Sequence, residues 1–167
     1  MTTMTFSTRD LNPHADADLL FGWLSQPRAK FWGMVDKPRD EGVEIYTWIQ
    51  QQPHLSAHLV ELNGVPVALL QTWDPAVDEV GASYPRRDGD LGVHLFVARV
   101  PGLAGLAEEL FGHLRSWLLA RQGLRRLVAE PDVENRASLA MLTRFGFTFG
   151  PRVQLPGKVA QFAFLEV

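Results

Sequence analysis

The sequence predicts a mixed α/β fold built on one central sheet, and three observations carry that prediction. Strand-like and helix-like segments follow one another in the order β-α-α-β-β-β-α-β-α-β-β. In the second half a buried strand, a long amphipathic helix and another buried strand come in succession, which makes a right-handed parallel crossover. An Asn63-Gly64 pair between two apolar runs is a strong hairpin signal, and hairpins on either side of the crossover leave the rest of the sheet antiparallel.

Each element has its own signal. Thr3 to Thr8 is short, β-branched and aromatic, and reads as an opening strand. Asn12-Pro13 offers a helix cap followed by a favoured first-turn proline, and Leu20, Trp23 and Leu24 follow at helical spacing with Leu19 widening the stripe. Pro27 ends that helix, and an aromatic knot, Phe31-Trp32-Gly33-Met34, comes next. A second helix is expected from Arg39 to Gln52, with Val43, Tyr46 and Ile49 on one face. The period then changes to that of strands over Ala57–Leu62 and Val65–Trp73. Asp74 to Asp90, rich in Pro, Gly and charge, is a long connection of the kind that often carries function. Leu91–Ala98 has few polar residues and is expected to be buried on both faces.

The helical period returns with Leu103, Leu106, Ala107, Leu110, Phe111, Leu114, Trp117 and Leu118, closed by Gly123. Leu127-Val128-Ala129 is the second buried strand and Asn135–Arg144 a short helix ended by Gly146. Strands over Phe147–Val153 and Val159–Leu165 finish the chain.

The bulk properties narrow the class. A chain of 167 residues suits one domain with a real core, and 46% hydrophobic with 21% charged residues is ordinary globular composition. No apolar stretch approaches the roughly 20 residues of a membrane helix, and the opening MTTMTFSTRD lacks the apolar core of a signal peptide. A cytoplasmic protein with no membrane partner is therefore expected. The absence of cysteine excludes disulfides, thiolate metal sites and cysteine nucleophiles together. A formal charge of -3 argues against a dedicated nucleic-acid binder. No convincing metal-ligand cluster is visible, so no metal is expected.

The loop Arg99-Val-Pro-Gly102-Leu103-Ala104-Gly105 leaves a buried strand and enters the longest helix. Glycines let the backbone approach a ligand closely, and a helix start presents unpaired N–H groups, a recipe for holding a pyrophosphate. Taken alone, it is equally an ordinary glycine-containing turn. Arg99-x-x-Gly102-x-Ala104 resembles the phosphate loop of GNAT-type acetyltransferases, and Asn135-x-x-Ser138-x-x-Met141-Leu142-x-x-x-Gly146-Phe147 resembles that superfamily's next motif. The resemblance implies a single GNAT-like domain over residues 1–167. Its fold would be a mixed, mostly antiparallel sheet with a splayed parallel strand pair, flanked by helices. It also implies acetyl-CoA or another acyl-CoA as co-substrate, with Val97, Arg99, Gly102, Leu103, Ala104, Gly105, Asn135 and Ser138 binding it.

Further stretches resemble one GNAT branch, the hydroxylamine acyltransferases of aerobactin, mycobactin and desferrioxamine siderophore synthesis. They are Phe31-Trp32-Gly33-Met34, Pro53-His54, Gly89-Asp90-Leu-Gly92-Val-His94, Glu130-Pro131-Asp132-Val-x-Asn135 and Leu155-Pro156-Gly157-Lys158. On its own, His94 in a strand reads as a satisfied core residue and Asp132 after a proline as a turn or capping residue. The resemblance makes them a catalytic pair, in which a carboxylate fixes the imidazole tautomer while the histidine moves a proton. It implies that a backbone N–H near Val97 stabilises the oxyanion formed on the thioester, and that Trp32 and His54 contribute to the acceptor site. The Phe31–Met34 knot and the loop Asp74–Asp90 are the candidate acceptor walls. Arg86-Arg87 reads as a solvated pair or as a recruiter of anionic groups.

Two departures stand out. Leu142 occupies the place where many GNAT enzymes carry a tyrosine that protonates the leaving thiolate, which leaves protonated His94 or water as the acid. Pro101 in the loop has no N–H to give, which shifts the burden to Arg99 and the helix start. Three functions remain open at this point: hydroxylamine acylation for siderophores, acetylation of an ordinary amine such as an aminoglycoside or a protein N-terminus, and non-catalytic acyl-CoA binding.

Overall fold

The computed structural model describes residues 3–167. The elements run β1 (Phe6–Asp10), α1 (Ala17–Leu24), a 3-10 helix (Pro27–Trp32), α2 (Arg39–Gln51), β2 (Leu55–Leu62), β3 (Val65–Trp73) and a second 3-10 helix (Glu79–Ser83). They continue as β4 (Asp90–Val97), α3 (Ala107–Leu119), β5 (Arg126–Ala129), α4 (Arg136–Arg144), β6 (Thr148–Leu155) and β7 (Lys158–Glu166). The strands form one seven-stranded sheet in the order β1-β2-β3-β4-β5-β7-β6. β4 and β5 are parallel, and the pairs β1–β2, β5–β7 and β6–β7 are antiparallel. The expected order of strands and helices is thus the observed one, and the two 3-10 helices are additions.

Several boundaries differ for physical reasons. β1 begins three residues later than expected, and it pairs with β2 from Phe6↔Leu62 to Asp10↔His58. Asn12 does not cap α1. Its Oδ1 accepts from the His14 and Ala15 N–H groups, so it opens a turn that precedes the helix. Asp16, at the helix start, gives its carboxylate to Arg9 and to the Asn12 N–H instead of to the helix. α3 starts at Ala107, four residues after the first residue of its apolar stripe, because Gly102 (φ 87°) and Gly105 (φ 83°) hold left-handed backbone that a helix cannot contain. β4 is less buried than expected: Val93, His94 and Leu95 are only half-buried.

The chain divides into two compact units. The first runs to Gln71 and takes in Leu95–His113. Its core gathers Leu11, Leu20, Leu24, Tyr46, Leu59, Leu69 and Phe96, of which Leu20, Leu24 and Tyr46 lie on the faces that the helical period marked. The second comprises Thr72–His94 and Leu114–Val167, with Leu127, Val128, Phe162 and Ala163 fully buried. Within it, the parallel ladder is set by Asp90↔Arg126, Leu91↔Leu127 and Gly92↔Val128. The first rung is also an ion pair: Arg126 donates from Nε and Nη2 to the two Asp90 oxygens at 2.7 and 2.8 Å, with both side chains almost fully buried. Tyr84 OH and the Arg87 N–H add two donors to Asp90. Burial pushes the Asp90 carboxyl up, but these donors and the Arg126 charge outweigh it, so its pKa falls below the ordinary value.

Candidate active site

In the second unit the site grows from β4. Asp90 anchors the strand, and two residues on, Gly92 leaves room for Trp73. A Cβ built on Gly92 would lie 1.8 Å from Trp73 Cε2, so the indole lies directly on the backbone there. The same indole flanks the His94 ring at 6.4 Å between centroids. The aspartate, the second glycine and the histidine of the Gly89-Asp90-x-Gly92-x-His94 string therefore sit in different settings: Asp90 in the ladder ion pair, Gly92 under the Trp73 indole, and His94 half-buried beside it.

His94 Nε2 is hydrogen-bonded to Glu130 Oε1. The carboxylate on this imidazole is thus Glu130, whereas the sequence reading had paired His94 with Asp132. The register explains it. The β4–β5 ladder pairs residues 36 positions apart, Asp90 with Arg126, and His94 and Glu130 keep that same separation. Asp132 lies two residues further, beyond the end of β5. Its Oδ1 accepts from the Glu134 N–H at 2.9 Å and its carbonyl from the Asn135 N–H at 2.9 Å. That is the turn role its place after a proline suggests.

Glu130 has a second partner. Lys158, the first residue of β7, donates from Nζ to Glu130 Oε2 at 2.5 Å and to the Glu130 carbonyl at 2.7 Å. The Glu130 side chain is 4% exposed, against 41% for His94 and 30% for Lys158. Burial pushes the Glu130 carboxyl up, but the charges of and hydrogen bonds from His94 and Lys158 prevail and bring it down to about 2. Neither Glu130 nor Lys158 was singled out from the sequence as a functional residue. The signal was present in the Glu130-Pro131-Asp132 and Leu155-Pro156-Gly157-Lys158 strings, whose ends meet here.

Asn135 and Ser138 lie in the same unit, where Asn135 is the N-cap of α4 and its Oδ1 accepts from the Ser138 N–H at 3.2 Å. Leu142, on α4, is half-buried.

The loop 99–105 belongs to the first unit. A Cβ at Gly102 or Gly105 would meet nothing within 4 Å, so the backbone there is open to a ligand, as a phosphate cradle requires. Leu103 is buried and its N–H is used within the loop, on Val100 O, while Arg99 and Ala104 are exposed. At the end of β4 the Ala98 N–H donates to Val67 O on β3, so strand alternation turns the Val97 N–H and carbonyl to the opposite edge. Arg28 Nη2 donates to that Val97 carbonyl at 2.9 Å. Burial and then the nearby charge of Arg99 lower the Arg28 pKa. Trp32 uses its Nε1 on Tyr46 OH at 2.9 Å and meets Phe96 edge-on, which makes it part of the core wall. His54 is half-buried in the turn between α2 and β2. Of the long loop, Tyr84 stacks on Phe162 and Arg87 pairs with Glu166. Among the described residues no group of three His, Asp or Glu side chains converges as a metal site. No helix among them is long and apolar enough to cross a membrane.

Comparison with known proteins decides the family. The model of the acetyltransferase (GNAT) domain matches residues 12–155. The chain belongs to the GNAT acetyltransferase family. One curated relative of this GNAT chain is the N-hydroxyputrescine acetyltransferase of Acinetobacter baumannii, 22% identical over 128 residues. The match covers 77% of this chain and 62% of the relative, so the chain spans less than two thirds of that protein's length. Among solved structures, an uncharacterised protein from Bacillus halodurans superposes with a TM-score of 0.88 at 22% identity, covering 98% of this chain and 84% of that one. The aminoglycoside acetyltransferase AAC(6')-Ib in complex with coenzyme A gives 0.82 at 20% identity, covering 97% and 95%. At these identities the two structures establish the shared GNAT fold.

Proposed function

We propose that this protein is an acyl-CoA-dependent N-acyltransferase that acts as a single domain and converts an N-hydroxylated amine to a hydroxamate in siderophore biosynthesis. In this reading the loop 99–105 takes the phosphates of the acyl-CoA, helped by Arg99 and by the open glycine backbone. With Nε2 engaged by Glu130, Nδ1 is the nitrogen of neutral His94 that carries the lone pair. The acceptor nitrogen attacks the thioester carbonyl, Nδ1 takes its proton, the new C–N bond forms and the C–S bond breaks. Protonated His94 then serves as the acid for the departing thiolate, a duty Leu142 cannot perform. Asp132 acts from the turn after Glu130, and Val97 supplies a backbone N–H toward the oxyanion. Trp32 and His54 stay candidates for the acceptor side.

The observation that carries the choice of acceptor is the charge balance around His94. Its carboxylate, Glu130, is buried and already held by Lys158, so it offers little attraction to a cationic acceptor. A hydroxylamine nitrogen is less basic than an alkyl amine, is mostly unprotonated at neutral pH, and needs no such counter-charge. The curated relative named for N-hydroxyputrescine supports the same reading. The fold shared with an aminoglycoside acetyltransferase supports the second reading, an acetyltransferase of ordinary amines.

The test is to present N-hydroxyputrescine, N-hydroxycadaverine, N-hydroxylysine and their parent amines with acetyl-CoA and succinyl-CoA, while following free thiol. Faster turnover of the hydroxylamines is expected. Equal or faster turnover of the parent amines would overturn the proposal in favour of the second reading.

A further inference from the structure

Lys158 is remote from His94 in sequence, yet it shares a carboxylate with it. Glu130 is clamped from two sides: Oε1 receives His94 Nε2, and Oε2 and the backbone carbonyl receive Lys158 Nζ. The start of β7 is held in place for this contact. Val133 N–H donates to Val159 O, Gln161 N–H donates to Pro131 O, and Asp132 bridges Ala160. The ammonium is therefore delivered to Glu130 by the same strand that pairs with the segment following it.

We propose that Lys158 is a positioning residue that sets the pH range in which His94 exchanges its proton, by neutralising the far side of the Glu130 carboxylate. A buried carboxylate facing an imidazole alone stabilises the imidazolium and keeps the proton on the ring. A cation on its other oxygen opposes this twice: it takes up part of the carboxylate's field, and it repels the imidazolium. Glu130 and the Trp73 ring contact His94 directly, and Lys158 and Asp132 reach it through the Glu130 carboxylate and the turn that follows it. Glu130 directly follows β5, and Lys158 opens β7. Asp132 lies in the following turn with Oδ1 on the Glu134 N–H, and Trp73 from the end of β3 is an uncharged ring. Of these only Lys158 is a fixed positive charge, so its removal moves the balance in one direction.

This role bears on the proposed acyl transfer, but it is tested without it. The imidazole titrations of wild type, Lys158→Met, Lys158→Gln and Lys158→Arg are followed by NMR on protein with isotope-labelled histidine. The His94 signal is assigned from the spectrum of His94→Ala. Circular dichroism checks that each variant is folded.

In Lys158→Met the His94 titration midpoint is expected to rise by about one pH unit, a tenfold change in proton affinity. Lys158→Gln, which keeps a donor but no charge, should show the same upward shift, and Lys158→Arg should restore the wild-type midpoint. Where an accepted acceptor is in hand, the acid limb of the pH–rate profile should move upward in parallel. An unchanged or lowered midpoint in both neutral variants would overturn the proposal, whatever the substrate proves to be. A shift in Lys158→Met that is absent from Lys158→Gln would also overturn it, because it would assign the effect to the hydrogen bond and not to the charge.

Discussion

Replacing Glu130 by glutamine keeps the shape of a side chain that is 4% exposed and removes its charge from between Lys158 and His94. The structure sets the scale of the consequence. The Glu130 carboxyl is brought from its ordinary value of 4.5 down to about 2, against the burial that pushes it up, by the charges and hydrogen bonds of His94 and Lys158. Such a displacement is worth about 3 kcal/mol of folding free energy at neutral pH. Glutamine retains one acceptor, and Lys158 and His94 are exposed enough to rehydrate, so about 2–3 kcal/mol is the expected loss.

The sign of the pH dependence follows from the depressed folded value. The stabilisation is fully present above 4.5 and is lost as pH falls toward 2. Urea unfolding followed by tryptophan fluorescence, at pH 7, 5, 4 and 3, measures it. The wild type and Glu130→Gln should differ most at pH 7 and 5, and the gap should close steadily below that. In a thermal melt at pH 7 the variant should unfold about 5–10 °C lower. A gap below about 1 kcal/mol at pH 7 would show that the pair contributes no more than an exposed ion pair does. A gap that is constant from pH 5 to pH 3 would show that the carboxylate is not the ionised centre of the cluster.

Two further outcomes follow from the same region. Gly92→Ala places a methyl group where the buried Trp73 indole lies, so it should cost about 2 kcal/mol and lower the melting temperature by about 4–8 °C; an unchanged melt would mean that the indole moves aside freely. His94→Ala should lower turnover by about 10²–10⁴-fold while isothermal titration gives a CoA affinity close to wild type. Unchanged turnover would remove His94 from the chemistry.

Much of this was legible because it depends on neighbours in sequence. The apolar run Val65–Trp73 and the Asn63-Gly64 turn mark a strand and its hairpin, the helical stripe of Leu110, Leu114 and Leu118 marks a buried face, and those three leucines are indeed buried. The order of elements, with one parallel crossover, then leaves few topologies. Boundaries were less legible where polar side chains choose between partners. Asp16 serves Arg9 instead of the helix, and Asn12 serves a turn.

At the site, the strings containing His94, Glu130 and Lys158 were all visible, and their meeting was not. Residues 130 and 132 lie two apart, so strand alternation gives them the same face and cannot choose between them as the partner of His94. The choice is made by the parallel register, which the buried Asp90–Arg126 ion pair sets and which brings Glu130 level with His94. Lys158 arrives from a hairpin whose position relative to β5 no local pattern encodes. The sequence by itself determined the family and the fold and marked His94 as a candidate; only the tertiary structure decided which carboxylate holds that histidine and which cation balances it. The physical reason is that hydrogen bonds and charges act over a few ångströms in space, whereas the chain separates these three residues by 36 and 28 positions.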